Sequence, residues 1–277
     1  MSRIERDKFS QNFVNRSTLC RTLAGNRCEY ITITSKEKDP NSEKSKAKKG
    51  VFISARVHPG ESNASWMMKG VIEFLVSNTA EAQALRENFV FKIVPMLNPD
   101  GVINGNYRCS LAGQDLNRRW KIPSKHLHPV NWHVKKMIRE FNREREMILS
   151  CDLHGHSRRK NIFIYGNNFE NRPHATRVFP FIMSKLLDYF SFEYSRFSVH
   201  KSKESTQRVT LWRELKIANV FTMEASFCGA DKGANKNMHF MPEHLLLAGR
   251  KLMEGLIVYT KLNVPPLKPG QIVLPVP

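Results

Sequence analysis

The sequence predicts an α/β domain whose mostly parallel sheet is covered by helices on both faces. Two apolar runs, "VFISARV" and "FVFKIVPM", contain β-branched residues and little polar alternation, which is typical of strands buried on both faces. Longer segments with apolar residues at helical spacing lie between and after such runs. Strands that alternate with helices in this way indicate a parallel sheet whose crossover connections are helices.

The individual elements follow from local patterns. Strands are predicted at "EYITIT", "VFISARV", "FVFKIVPM", "MILSCDLH", "NIFIYG" and "ANVFTMEAS". Helices are predicted from Ala64 to Leu75, around Glu81 to Glu87, in "VNWHVKKMIREFNRERE", in part of "HATRVFPFIMSKLLDYF" and in "PEHLLLAGRKLMEGLIVYTKL". Pro242 suits the first turn of that last helix. The Lys-rich segment 35–50 has no apolar periodicity and is predicted to be a solvated loop.

Length and composition narrow the class of protein. The chain has 277 residues, of which 41% are hydrophobic, enough for a sizeable core. It contains no apolar run of roughly 18 residues or more, so no membrane-spanning helix is expected. The polar N-terminus does not look like a secretory signal. Five scattered cysteines without a CxxC motif suit a reducing compartment.

The charge balance is strongly positive. Lys and Arg number 44 against 25 acidic residues, a formal net charge of +19. Such a field favours polyanions, namely nucleic acid, an anionic membrane or an acidic protein tail. Solubility alone needs far less charge.

Three residues near predicted strand ends form a candidate metal site. His58 and Glu61 follow "VFISARV", and His154 follows "MILSCDL". The carboxyl ends of parallel strands share one edge of the sheet, so these side chains are expected to lie together. Two histidines and one glutamate make a catalytic zinc set with a fourth position open for water.

Catalysis at such a site needs two further groups. Glu224, at the end of "ANVFTM", can take a proton from the attacking water and pass it to a leaving amine. A guanidinium can stabilise the oxyanion of the transition state, and Arg108 and Arg118 are the candidates.

The motifs "HPGE", "NPDGVINGNYRCSLAGQDLNRRW", "DLHGHS" and "FTMEASFCG", in this order, resemble the cytosolic carboxypeptidases. The resemblance runs from about Leu19 to about Thr260. It implies a three-layer α/β/α domain around a mixed, mostly parallel sheet of eight strands. It also implies a zinc peptidase that removes glutamate from protein C-termini and from polyglutamate side chains, notably on tubulin.

The same resemblance suggests a role for each motif residue. His58, Glu61 and His154 match the zinc ligands, a set known from carboxypeptidase A. Arg108 matches the arginine that polarises the scissile carbonyl, and Glu224 matches the base. Asn117 and Arg118 match the pair that binds the terminal carboxylate.

A glutamate substrate needs a cation at the base of its pocket. Basic residues shortly before Glu224 are Lys201, Lys203, Arg208 and Arg213. Of these, Arg208 is the preferred candidate for binding the glutamate side chain.

The expected organisation is a remnant at 1–18, a catalytic domain at 19–262 and a Pro-rich extension at 263–277. Cytosolic carboxypeptidases usually carry a β-rich domain before the catalytic one, so the chain is expected to be a fragment, a short isoform or a reduced member. The expected partners are polyglutamylated protein tails, without nucleic acid or membrane, and the expected location is cytoplasmic, with the nucleus or microtubules as alternatives. Two other readings stay open, an acylase on the same zinc scaffold and a non-catalytic binder of acidic tails.

Overall fold

One mixed sheet forms the centre of the protein. The computed structural model describes residue 7 and residues 9–39, 41–169 and 171–264. Its strands are β1 (Val14–Arg21), β2 (Arg27–Ile33), β3 (Lys49–Ala55), β4 (Phe89–Val94), β5 (Met147–His156), β6 (Ile162–Tyr165) and β7 (Val220–Ser226). They lie in the order β1-β2-β4-β3-β5-β7-β6. The central strands β4, β3, β5 and β7 are parallel, and the outer pairings are antiparallel.

Helices cover both faces of this sheet. They are α1 (Glu43–Ala47), α2 (Ser62–Val76), α3 (Ala80–Asn88), α4 (Pro99–Ile103), α5 (Pro129–Glu144), α6 (Val178–Leu186), α7 (Gln207–Leu215) and α8 (Pro242–Thr260). In β3, Val51 and Ile53 belong to the core under α2 and α8, whereas Phe52 belongs to the core under α5 and α7. Successive strand residues thus point to opposite faces, and both faces need apolar side chains.

The helices α2 and α8 pack closely because glycines lie at their contact. A Cβ added at Gly70 would lie 2.0 Å from the carbonyl oxygen of Leu246. A Cβ added at Gly249 would lie 1.9 Å from the carbonyl oxygen of Met67. The absence of side chains at both positions lets the two backbones approach, which holds the N-terminal end of α2 against the sheet.

The predicted α/β class and the three layers are confirmed, but the strand count differs from the expected eight. The described part of the chain has seven strands. The segment beyond β6 pairs with that strand through isolated parallel bridges at Phe190 and Arg196 rather than through a continuous ladder. Between these bridges the chain makes a turn, in which Ser195 N donates to Phe192 O at 3.0 Å. The turn breaks the ladder, so no continuous eighth strand forms.

Four elements were not predicted from sequence, and one of them is the short helix α4, which begins after the N-cap Asn98. The strand β1 is an exposed edge strand without a clean apolar alternation. The predicted loop at 35–50 contains the short helix α1, whose N-cap Ser42 accepts a hydrogen bond from Ser45 N at 3.2 Å. The helix α7 begins after Thr206, whose hydroxyl caps it by accepting from Val209 N. Of its first residues, Arg208 lines the cleft described below, and Gln207 N donates a hydrogen bond to Asn117, which also lines it.

Two further expectations concern the ends of the chain. The sheet begins at Val14, inside the segment 1–18 that was expected to precede the catalytic domain. The expected Pro-rich extension at 263–277 lies outside the described residues from 265 onward.

Among the helices of the described ranges, none combines the length and the apolar character needed to cross a membrane.

Candidate active site

The predicted site residues meet at the carboxyl ends of β3, β5 and β7. His58 lies in the turn that follows β3, and Glu61 immediately precedes α2. His154 lies near the end of β5, and its register partner on β7 is Glu224. The parallel order of these strands therefore brings four ionisable side chains from distant parts of the sequence to one edge of the sheet.

Both imidazoles direct the same ring nitrogen at Glu61. His58 Nδ1 lies 2.7 Å from Glu61 Oε1, and His154 Nδ1 lies 2.9 Å from Glu61 Oε2. One potential ligand atom from each of the three residues lies within 4.8 Å of the others, and all three residues are buried. This arrangement could hold one metal ion.

The second nitrogen of each imidazole faces a carboxylate. His58 Nε2 lies 3.1 Å from Asp115 Oδ1, and His154 Nε2 lies 2.7 Å from Asp152 Oδ2. A carboxylate on the far nitrogen fixes the ring orientation and the tautomer of a metal-binding histidine. The donor set of two Nδ1 atoms and one carboxylate, supported in this way, fits zinc.

The electrostatics of the cluster favour positive charge between these residues. Burial alone would lower the pKa of His154, but Asp152 and Glu61 outweigh it and raise that pKa well above its usual value. Burial would likewise lower the pKa of His58, which Asp115 and Glu61 raise. The carboxylates around the two rings therefore attract a cation to this position.

Glu224 carries a carboxylate oxygen without a partner. Its Oε2 is buried and accepts no hydrogen bond from any described residue. Burial raises the pKa of Glu224 to about 7, against the opposing charge of His154. A buried carboxylate oxygen that lacks a donor in the protein is free to accept a proton or a hydrogen bond from a ligand.

Asp115 links the two candidate arginines to His58, one of the candidate metal ligands. Its Oδ2 accepts from Arg108 Nε at 3.0 Å and lies 2.8 Å from Arg108 Nη2. Arg118 Nη1 lies 3.9 Å from the same oxygen and donates to Asn117 O at 3.1 Å. Asp115 thus positions both His58 and Arg108. The sequence analysis identified His58 and Arg108 as candidates but did not identify Asp115.

The buried side chain of Asn117 is oriented by the first residue of α7. Asn117 Oδ1 accepts from Gln207 N at 3.0 Å. That backbone N–H is one of the donors that a helix leaves unpaired in its first turn. With the oxygen engaged, the amide nitrogen of Asn117 is the end that remains for a carboxylate in the cleft.

Arg208 is buried at the wall of the same cleft. Its Nη1 donates to Asn167 Oδ1 at 2.8 Å and also to Gly166 O. Burial lowers its pKa to about 10, which leaves the guanidinium charged at neutral pH. Both bonds use Nη1, so the rest of the guanidinium stays available to a ligand.

The other basic candidates before β7 are placed differently. Lys203 lines the cleft, and burial together with Arg118 and Arg108 lowers its pKa. Arg213 pairs with Glu204 at 3.2 Å, and neither Arg213 nor Lys201 lines the cleft.

The cleft has a volume of about 730 Å³, and the lysines and arginines of its lining outnumber the acidic residues. Its cations are Arg108, Arg118, Arg158, Arg159, Arg196, Lys203 and Arg208. The acidic residues among its lining are Glu61 and Glu224. Sequence reasoning missed Arg158, Arg159 and Arg196 because they lie on loops beyond strands rather than in a motif used for the ligands. The run "HSRRK" directly after His154 was the available signal.

The sequence profile described as zinc carboxypeptidase matches residues 7–244. Mouse cytosolic carboxypeptidase 2 is 48% identical over 257 residues, which cover 92% of this chain and 30% of that protein. Human cytosolic carboxypeptidase 1 is 43% identical over 274 residues, with 92% of this chain and 22% of that protein covered. The chain therefore spans less than a third of the length of either relative.

A solved structure supports the fold. A metallo-carboxypeptidase from Burkholderia cenocepacia superposes with a TM-score of 0.79 at 22% identity, covering 94% of this chain and 67% of that chain. Motifs alone favour similarity to cytosolic carboxypeptidase 1, whereas the identities above are higher for cytosolic carboxypeptidase 2. From the profile match and these relatives, the chain belongs to the zinc carboxypeptidase family.

Proposed function

We propose that this chain is a zinc-dependent metallocarboxypeptidase that removes glutamate from the C-termini or polyglutamate side chains of proteins such as tubulin. One observation carries the proposal. A candidate metal-binding group of three residues and the unpartnered carboxylate oxygen of Glu224 lie together in a cleft whose lysines and arginines outnumber its acidic residues.

In this proposal one zinc ion per chain is held by His58, Glu61 and His154. When bound, zinc supplies a Lewis acid and a water molecule of lowered pKa. Asp115 and Asp152 keep the two imidazoles in the tautomer that presents Nδ1 to the ion. Two features of this chain therefore support the zinc proposal, namely the set of three candidate ligands and the two aspartates that orient the histidines.

The substrate's terminal carboxylate is held by Asn117 and Arg118. The amide nitrogen of Asn117 is left free by the bond that its oxygen makes to Gln207 N. The planar guanidinium of Arg118 can bind a carboxylate through two parallel hydrogen bonds. Together they admit a chain end and exclude an internal peptide, which makes the enzyme an exopeptidase.

Proton transfer and charge stabilisation fall to Glu224 and Arg108. The unpartnered oxygen of Glu224 accepts a proton from the attacking water and returns it to the leaving amine. The guanidinium of Arg108 stabilises the oxyanion that develops on the scissile carbonyl. The hydrogen bond from Arg108 Nε to Asp115 holds Arg108 at the cleft.

Selectivity for glutamate is assigned to Arg208. This residue is buried, charged and partly unengaged at the cleft wall. The other cations of the cleft and the net charge of +19 draw in dense anions such as polyglutamate tails. The partners are therefore acidic protein tails rather than nucleic acid or membrane.

The proposed location is the cytoplasm, with the nucleus or microtubules as alternatives. The names of the relatives, which are cytosolic carboxypeptidases, support the first of these.

The test is a comparison of C-terminal residues. Peptides that differ only in the last residue, either glutamate, alanine or lysine, are incubated with the purified chain, with and without a zinc chelator, and analysed by mass spectrometry. Loss of the terminal glutamate, abolished by the chelator, is the expected result. N-acyl amino acids are incubated in parallel, and cleavage of these in place of the peptides would favour the acylase. Tight peptide binding without cleavage would favour the non-catalytic binder.

A further inference from the structure

A continuous path of hydrogen bonds runs beneath the cleft. It begins at His154 Nε2, which lies 2.7 Å from Asp152 Oδ2. Ser54 Oγ donates to Asp152 Oδ1 at 2.7 Å, and Gln207 Nε2 donates to Ser54 Oγ at 3.0 Å. The backbone N–H of the same Gln207 donates to Asn117 Oδ1 at 3.0 Å. The path joins a metal-ligand imidazole to the amide assigned to the terminal carboxylate.

Every member of this path is buried. Ser54 and Asp152 are fully inaccessible, and Gln207 is 1% exposed. Water cannot replace a lost partner easily at such positions, so each missing bond leaves a polar atom unsatisfied. Ser54 Oγ lies 3.0 Å from Gln207 Nε2 and 3.3 Å from Gln207 Oε1, and its 2.7 Å contact with Asp152 Oδ1 is the shortest of the three. The single hydroxyl hydrogen of Ser54 goes to Asp152, the oxygen of Ser54 accepts from Gln207, and the second oxygen of Asp152 accepts from His154.

Two chain segments that are far apart in sequence converge at Ser54. Ser54 and Asp152 are register partners on the adjacent parallel strands β3 and β5. Gln207 is the first residue of α7, on the far side of this pair. Its side chain anchors the start of α7 to the strands, and its backbone orients Asn117.

We propose that Ser54 and Gln207 are positioning residues, which set the orientation of His154 for the metal and of Asn117 for the terminal carboxylate through one shared hydrogen-bonded path. Neither residue lines the cleft or belongs to the candidate metal-binding group. The inference rests on the metal site and the carboxylate site of the proposed function, but not on which residue is cleaved.

The test uses Ser54→Ala with two readouts that do not depend on turnover. The first is the zinc dissociation constant, measured by competition with a chromogenic chelator. The second is the dissociation constant of glutarate for the zinc-free protein. Glutarate carries two carboxylates, like a C-terminal glutamate residue, and it cannot be cleaved. Ser150→Ala is the matched control, because Ser150 lies in β5, is equally buried, and has no hydrogen-bond partner for its hydroxyl among the described residues.

Ser54→Ala should weaken zinc binding roughly 3- to 10-fold, the range that one hydrogen bond is worth, because it removes the donor to the Asp152 carboxylate that orients His154. It should also weaken glutarate binding roughly 3- to 10-fold, the range that one oriented hydrogen bond is worth. Ser150→Ala should change neither. Gln207→Met, which keeps the Ser54–Asp152 bond, should weaken glutarate binding more than zinc binding, and it carries the test if Ser54→Ala does not fold.

Equal zinc and glutarate affinities in Ser54→Ala and Ser150→Ala would overturn the inference. A loss of zinc affinity alone in Ser54→Ala would also overturn it, because the path would then end at Ser54. If the unaltered chain binds zinc but not glutarate, the glutamate pocket of the proposed function fails instead.

Discussion

Replacement of Arg208 by alanine tests the glutamate pocket at a single side chain. Arg208 is 6% exposed and keeps its charge at the cleft wall. Without it, the side-chain carboxylate of a bound glutamate would lose the cationic partner that the proposal assigns to it. Leaving one charge of a buried pair unpaired costs roughly 2–5 kcal/mol, and each 1.4 kcal/mol or so is tenfold, so kcat/KM should fall about 30- to 4000-fold.

The assay compares two peptides that differ only in a terminal glutamate or alanine. Activity of Arg208→Ala on the glutamate-ended peptide should drop steeply, while its already low activity on the alanine-ended peptide should barely change. Arg213→Ala is the matched control, because Arg213 lies on the same helix, pairs with Glu204 and does not line the cleft.

The substitution also removes the donor to Asn167 Oδ1 and Gly166 O. Loss of these two hydrogen bonds could disturb the local structure, which would slow the cleavage of both peptides equally. The ratio of the two cleavage rates therefore separates an effect on selectivity from an effect on local structure. An equal loss on both peptides would refute the role of Arg208, and Lys203 would then be the next candidate, since it also lines the cleft.

Three further outcomes are expected. The purified chain should hold about one zinc ion, and His58→Ala should lose it by elemental analysis; full occupancy in that variant would contradict the ligand assignment. Glu224→Gln should retain zinc yet turn over at least about 100-fold more slowly in a steady-state assay, whereas near-normal rates would mean that another group acts as the base. Added salt should slow cleavage of long polyglutamate more than cleavage of a dipeptide, because distant charges are screened beyond about 10 Å at 0.1 M; equal salt effects on the two substrates would argue against long-range attraction.

The candidate metal-binding group could be predicted from the sequence because its residues lie at the ends of strongly apolar strands. His58, Glu61, His154 and Glu224 all follow or end such runs, and parallel order brings strand ends together. The structure places all four at one edge of the sheet, as the sequence predicted. Their chemical roles remain predictions.

The residues that orient this group could not be predicted from strand ends in the sequence. Asp115 contacts His58 across 57 positions, and Gln207 contacts Ser54 across 153. No local pattern distinguishes a serine in a buried strand that donates to a carboxylate from one that, like Ser150, has no partner in the described part of the chain. Such pairings depend on strand register and helix placement, which are properties of the assembled fold.

Local patterns also failed where polar residues dominate. In the Lys-rich segment 35–50, Lys48 is buried, with its Nζ 3.1 Å from Glu37 Oε1 and 2.5 Å from Ser35 O. A lysine run indicates a solvated loop, and only the three-dimensional structure reveals the one lysine that is paired inside. The edge strand β1 was missed for a related reason, since its side chains are half-buried or exposed and none is fully buried, so they carry no clear apolar signal.

The most direct test of the central claim is mass spectrometry of polyglutamylated tubulin incubated with the purified chain, with and without a zinc chelator. A zinc-dependent metallocarboxypeptidase for glutamate should produce a stepwise loss of glutamate residues from the tubulin tails, and both the chelator and Glu224→Gln should stop it. Tails that keep their full length with zinc-loaded protein, or shortening that persists unchanged in the chelator, would contradict the account.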